Sequence, residues 1–302
     1  MSPKRTSSAI RNSACRMQGF TLLELAIVLV VIGLITGSIF VGRDLIRTAR
    51  VNSTVAQLNQ FNSAANAFET KYGYLPGDIP GEKASRFNLY YITGTLQDAI
   101  GCGDGNGIIE GWNTSPWVGG ANFAGEVVMF FLHLSQAGMV DGMYGAGGAH
   151  VTISGATTTG GSYSGSQPPT VTSTSSYVNE ILPEAKFGHG NFFTVGSSAT
   201  VNYFILTGVN KVKNSADLGS TNNITPVEAA MFDKKIDDGM PGTGTVFALD
   251  TVTTPISPPG GGGTEVTTMS ANNCIDATGK YYNTASSTYA NTENCSLRIQ
   301  FQ

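Results

Sequence analysis

Only three of the 302 residues are histidine, four are cysteine and 13% are charged, and each scarcity removes a class of function. His133, His150 and His189 have no acid at helical spacing, and neither HExxH nor GxSxG occurs. The residue sets that zinc and serine hydrolases need are therefore missing. Cys15, Cys102, Cys274 and Cys295 form no CxxC and no Cys/His pair at zinc spacing, which argues against structural zinc. Basic charge is also scarce. Lys4, Arg5, Arg11 and Arg16 stand in the first 19 residues without an acid, leaving 13 basic against 21 acidic groups, net −8, in residues 20–302. An acidic body without a basic cluster cannot neutralise a phosphate backbone, so nucleic acid is excluded as a partner. Proline is absent between Pro3 and Pro76, so nothing in the first quarter breaks a long helix.

What is abundant is apolar surface and glycine. With 41% apolar residues the chain has enough material for a sizeable core in one or two domains. Thirty-eight glycines, with many Ser, Thr and Asn, point to a loop-rich, β-containing body.

Phe20–Val41 reads FTLLELAIVLVVIGLITGSIFV, 22 residues in which Glu24 is the only ionisable side chain. As a helix the run is roughly 33 Å long, enough to cross a hydrocarbon core of about 30 Å. Four positive charges before it and an acidic body after it predict a cytoplasmic start and an exported body. Gly33 and Gly37 form a small-xxx-small pair that either lets two helix backbones approach or is ordinary glycine tolerance in a membrane helix. Met17-Gln18-Gly19-Phe20-Thr21-Leu22-Leu23-Glu24 precedes the apolar stretch. Here the chain resembles the type IV pilin and type II secretion pseudopilin family.

The resemblance implies cleavage between Gly19 and Phe20 by a membrane prepilin peptidase, methylation of the new Phe20 amine and a retained anchor in a mature chain of 283 residues. It divides the chain into a leader (1–19), a transmembrane half-helix (20–42) and an exported pilin-like domain (43–302). It also gives Glu24 a role: a carboxylate in hydrocarbon needs a partner, and the Phe20 amine of the same or a neighbouring subunit supplies one during assembly. The implied partners are other pilin or pseudopilin subunits and the inner-membrane assembly platform. Tyr72-Gly73-Tyr74-Leu75-Pro76 is similar to the aromatic-proline turn that follows the helix in major pseudopilins, whereas the large size favours a minor subunit.

Beyond the anchor, Val51, Val55, Leu58, Phe61, Ala65, Phe68 and Tyr72 recur at three- and four-residue spacing opposite Asn52, Gln57, Asn59, Gln60, Asn62 and Ser63. This predicts one helix from Phe20 to about Tyr72, ended by Gly73 and Pro76. Its apolar stripe needs a cover, and strands are predicted at 201–206, 245–249 and 297–302, giving an α+β fold with an antiparallel sheet on the helix. Further helices are predicted over 124–137 and, from the capping box Thr225-Pro226-Val227-Glu228, over 226–238. The run Asp233–Asp238 reads as that helix's solvated face. Residues 141–176 and 251–273 read as loops, either filament-surface decoration or spacers.

Two candidate sites remain. In Gly101–Glu110, Asp104, Asn106 and the Ile108 carbonyl alternate as oxygen ligands do at the start of a calcium loop, with Glu110 in reach. The pattern lacks its later acids, and a tight Gly/Asn turn is the competing reading. Cys274 and Cys295, 21 residues apart, are expected to form a disulfide in an oxidising compartment, as in the bridged carboxyl-terminal loop of many type IV pilins. Pairings of Cys102 with either remain open. The expected function is a non-enzymatic structural subunit of a pilus or pseudopilus; a pilin-anchored adhesin or ligand-binding protein is the alternative.

Overall fold

The computed structural model describes residues 21–92, 103–111, 125–145, 153–154, 156–157, 170–171, 177–198, 200–213, 217–249, 274–276 and 278–301. The chain divides into two compact units, Met1–Ile46 and Arg47–Gln302. Helix α1 (Leu22–Tyr72) contributes to both.

In the first unit the described residues are helical from Leu22 onward, and their apolar side chains are exposed, Leu22 to 88% and Leu29 to 69%. The helix is long and apolar enough to cross a membrane, consistent with a single anchoring segment.

In the second unit α1 becomes amphipathic as its spacing predicts. Val51, Leu58, Phe61, Ala65 and Phe68 are buried, Val55 and Tyr72 partly so, and Asn52, Asn59 and Gln60 are exposed. Gly73 ends the helix at φ +79°, a left-handed geometry that glycine adopts without strain, and its N–H donates to the Glu69 carbonyl.

After α2 (Gly81–Arg86) and β1 (Tyr91–Ile92) comes α3 (Glu126–Gln136), buried around most of its circumference from Glu126 to Leu134, a helix enclosed by the core. The short strands β2 (Ile153–Ser154), β3 (Ala156–Thr157) and β4 (Thr170–Val171) make two antiparallel pairs, β1 with β3 and β2 with β4.

The main sheet contains β5 (Asn191–Ser198), β6 (Val201–Lys213), β7 (Asp217–Thr221), β8 (Val246–Leu249) and β9 (Ser296–Gln300). It is antiparallel in the order β5-β6-β9-β8, with β7 alongside the far end of β6. Helix α4 (Pro226–Ile236) precedes β8. Register places Phe193, Val195, Phe204, Leu206, Leu297, Ile299, Val246 and Ala248 on one buried face. Phe61 of α1 meets that face, edge-on to Phe193 at 5.3 Å and near Phe204 at 6.3 Å, and contacts Phe131 of α3 at 5.3 Å. A long helix packed on an antiparallel sheet is the α+β arrangement expected from the sequence.

Several boundaries and one assignment differ from expectation. β6 runs to Lys213, where the sequence suggests a strand only to 206, and α4 stops at Ile236 rather than Asp238. Asp233 does not belong to a solvated face. It is fully buried, accepting from the Tyr282 hydroxyl at 2.7 Å and the Gly239 N–H at 3.1 Å, while Lys234 and Lys235 are exposed. Residues 146–152, 158–169, 172–176 and 251–273, within the two stretches read as loops, lie outside the described residues.

Candidate assembly site

The start of α1 is built from two side chains. Thr21 precedes the first helical residue, and its N–H and hydroxyl both donate to Glu24 Oε2, at 2.8 and 2.9 Å, while the Glu24 N–H donates to Thr21 Oγ1 at 3.2 Å. These reciprocal bonds make a capping box, in which orphan N–H groups of the first turn find acceptors. The Glu24 carboxylate is thereby bent back toward the chain's amino end. Gly19 and Phe20, the expected processing residues, and Cys15 lie outside the described residues. Farther along, Gly33, Gly37 and Gly42 line a shallow groove with Leu34 and Ser38, and a Cβ added at any of the three glycines would meet nothing within 4 Å.

The carboxyl-terminal loop is the second organised region. Cys274 and Cys295 are disulfide-bonded, with Cα atoms 5.0 Å apart, and both are buried. Cys102, the rival partner, is outside the described residues. Cys295 and Ile224 exchange backbone bonds, the Cys295 N–H donating at 2.9 Å and the Ile224 N–H at 3.3 Å, which ties the loop to the start of α4. From α1, Arg47 donates to Asn291 Oδ1 at 3.1 Å and lies 3.8 Å from Glu228. Arg50 lies 2.8 Å from His189 Nε2, and His189 Nδ1 lies 3.0 Å from Glu293. A charged Arg donates only, so Nε2 accepts and Nδ1–H faces the carboxylate. No local signal marks the His189–Glu293 pairing, because the two residues are 104 positions apart.

The third region is the 103–110 loop. Asp104, Asn106 and Glu110 gather around one carboxamide, the Asn106 Nδ2 donating to Asp104 at 3.1 Å and to Glu110 at 3.3 Å. The Asp104 Oδ1 accepts the Asn106 N–H at 3.0 Å, and Asn106 Oδ1 accepts the Ile108 N–H at 2.6 Å. Two buried acids outside the motif organise the same loop. Asp78 accepts from Gly105 and Gly107, both at 2.7 Å, and Glu126 from Gly103 and Glu110, both at 2.8 Å. Carboxylate oxygens of Asp78, Asp104 and Glu126 lie within 4.8 Å of one another, a spacing that a cation or shared protons would satisfy. Burial pushes Asp78 up to about 7, and burial together with the neighbouring Asp78 raises Glu126 well above the carboxylate range. His133 closes the region: Nδ1 accepts the Gly77 N–H at 2.9 Å, Nε2 meets the Tyr90 carbonyl at 2.7 Å, and burial lowers it to about 4.

Comparison with known proteins bears on the first region. Residues 15–40 match the prokaryotic N-terminal methylation motif. No curated protein and no solved structure matches the chain. The N-terminal region thus carries the prepilin-type cleavage and methylation motif, and with the helix-on-sheet fold this is consistent with the type IV pilin and pseudopilin family, a structural and not a catalytic class.

Proposed function

We propose that the chain is a structural subunit of a type IV pilus or type II secretion pseudopilus. A prepilin peptidase cleaves it after Gly19, the new Phe20 amine is methylated, and the apolar half of α1 anchors it in the inner membrane with the leader in the cytoplasm and the body exported. Assembly then draws the anchor into a filament core with other pilin or pseudopilin subunits, on an inner-membrane platform.

The observation that carries this reading is the Thr21–Glu24 capping box. Cleavage after Gly19 leaves Thr21 second in the mature chain, so the box survives processing. It holds the carboxylate at the amino end of the helix, where a positive terminal amine is the complementary group. In hydrocarbon an unpaired carboxylate costs several kcal/mol, so the amine of the same or a neighbouring copy stabilises it.

Intact-mass measurement of membrane and sheared fractions tests the reading. The expected product lacks residues 1–19 and carries one methyl on Phe20. Gly19→Ala should leave the precursor uncut. Glu24→Ala should be cut normally but reach the sheared fraction at about a tenth of the wild-type level or less, as expected for loss of one buried charge pair. Normal assembly of Glu24→Ala would overturn the pairing, and an uncut or differently cut wild-type chain would overturn the pathway.

A further inference from the structure

Arg298 stands in the middle of β9, beside Ile205 of β6 and Phe247 of β8. Its neighbours Leu297 and Ile299 point into the core, so Arg298 faces the other way. The guanidinium carbon lies 4.7 Å from the Phe247 ring centroid and 5.1 Å from that of Tyr203, and the two rings meet edge to face at 6.4 Å. Its Nε is buried without a hydrogen-bond partner, and among the described residues no carboxylate pairs with it. A guanidinium held against two rings has lost part of its water and presents its fork in a fixed direction, which suits it to a carboxylate.

The same body carries the complementary surface. A cleft of about 600 Å³ is lined by Gln57 and Gln60 of α1 together with Asp141, Tyr144, Glu184 and Lys186. Asp141 and Glu184 are exposed, and their carboxylates meet no cation among the described residues. Gln57 fixes the wall, donating to the Glu184 carbonyl at 2.9 Å and accepting from the Lys186 N–H at 3.0 Å. Among the described lining residues, two acids against one lysine leave the cleft negative.

We propose that the Arg298 stack of one copy docks in the Asp141–Glu184 cleft of a second copy. The two surfaces share no residue, so the contact is heterologous, and a heterologous contact that does not close into a ring repeats as an open filament. The chain's acid excess makes Arg298, a cation that meets no carboxylate among the described residues, complementary to another copy's acids. This inference rests on the filament-subunit reading above.

Charge exchange in the full-length chain is the test. Arg298→Glu alone, and Asp141→Lys with Glu184→Lys, should each lower the sheared-filament yield at least about tenfold, because each sets like charges face to face. Combining all three substitutions should restore the yield to within about threefold of wild type. Mass analysis of the processed amino terminus and of the Cys274–Cys295 bond verifies that each variant is cut and folded. In Arg298→Lys filaments, a zero-length carboxyl–amine coupling should join position 298 to the 141 or 184 segment of another copy. Wild-type yield from Arg298→Glu overturns the proposal, as does failure of the combined variant when all three chains are cut and disulfide-bonded. Coupling of position 298 to a different protein assigns the stack to that partner and also overturns it. A wild-type chain that is processed but never found in filaments overturns the subunit reading, and this contact with it.

Discussion

At the scale of single residues, Gly77 is the glycine packed most tightly against backbone among the described residues. Its φ is +95°, its N–H donates to buried His133, and a Cβ placed on it would lie 2.5 Å from the backbone carbonyl oxygen of Glu126. Neither a rotamer change nor a small side-chain shift relieves a clash with backbone. Gly107 has a similar φ of +83° but open space around it. Conformation alone costs an L-residue roughly 1–2 kcal/mol at such an angle, so Gly107→Ala should lose about that much. Gly77→Ala, which adds the clash, should lose at least about 3 kcal/mol, comparable to other severe backbone and core lesions. Chemical unfolding of the two purified variants beside the wild type separates the terms, and equal losses would show that packing against α3 contributes nothing.

At the scale of elements, the carboxyl-terminal loop is held at its base and along its length. The disulfide closes it, Tyr282 pins it to α4 through Asp233, and Arg47 fastens it to α1 through Asn291. Because the chain-entropy contribution of a bridge with this separation is about 3 kcal/mol, Cys274→Ser with Cys295→Ser should lower unfolding stability by that order. The same variant should become cleavable within 278–294 at protease concentrations that leave the oxidised wild type whole. Unchanged protection would mean that the hydrogen bonds alone hold the loop.

What could be read from the sequence divides along the same lines. α1, α3, α4 and the strands at 201, 246 and 296 were legible because each carries a local period or a cap: the α1 stripe, the Thr225–Glu228 box, the alternation in Leu297–Gln300. β5 was not, because Phe192 and Thr194 are buried as well as Phe193 and Val195, which erases the alternation that marks a half-buried strand. Asp233 and Glu126 were missed for a different reason. Their partners Tyr282 and Gly103 are distant in sequence, so a buried acid inside a charged run or an apolar helix leaves no local signal. The 101–110 motif was visible, but Asp78 and Glu126, which hold its backbone, were not.

At the scale of the whole molecule, these buried groups set how stability depends on pH. Burial raises Asp78 to about 7 and Asp233 to about 6, and raises Glu126 as well, so between about pH 4 and 7 the folded chain holds protons that the unfolded chain has released. Stability from these acids is complete below their unfolded values near 4 and is lost as pH rises through the folded ones. His133 acts in the opposite sense: burial lowers it to about 4, so in the window from 4 to 6.5 the unfolded chain binds the extra proton and rising pH favours folding. Asp238 and Asp276, lowered by hydrogen bonds from Thr243 and Thr278, act only below about pH 4. Three raised acids against one lowered histidine leave a net fall, and above pH 6.5 the histidine no longer opposes it. The thermal midpoint should therefore drop between pH 5 and 7.5. Asp233→Asn separates the contributions, since an amide still accepts from Gly239 and can donate to the Tyr282 oxygen. That variant should make the profile less steep below pH 6 and keep the drop between 6 and 7 that belongs to Asp78 and Glu126. A midpoint that climbs steadily from pH 5 to 7.5 would mean that the backbone N–H groups bonded to Asp78 and Glu126 outweigh their burial and keep both acids ionised.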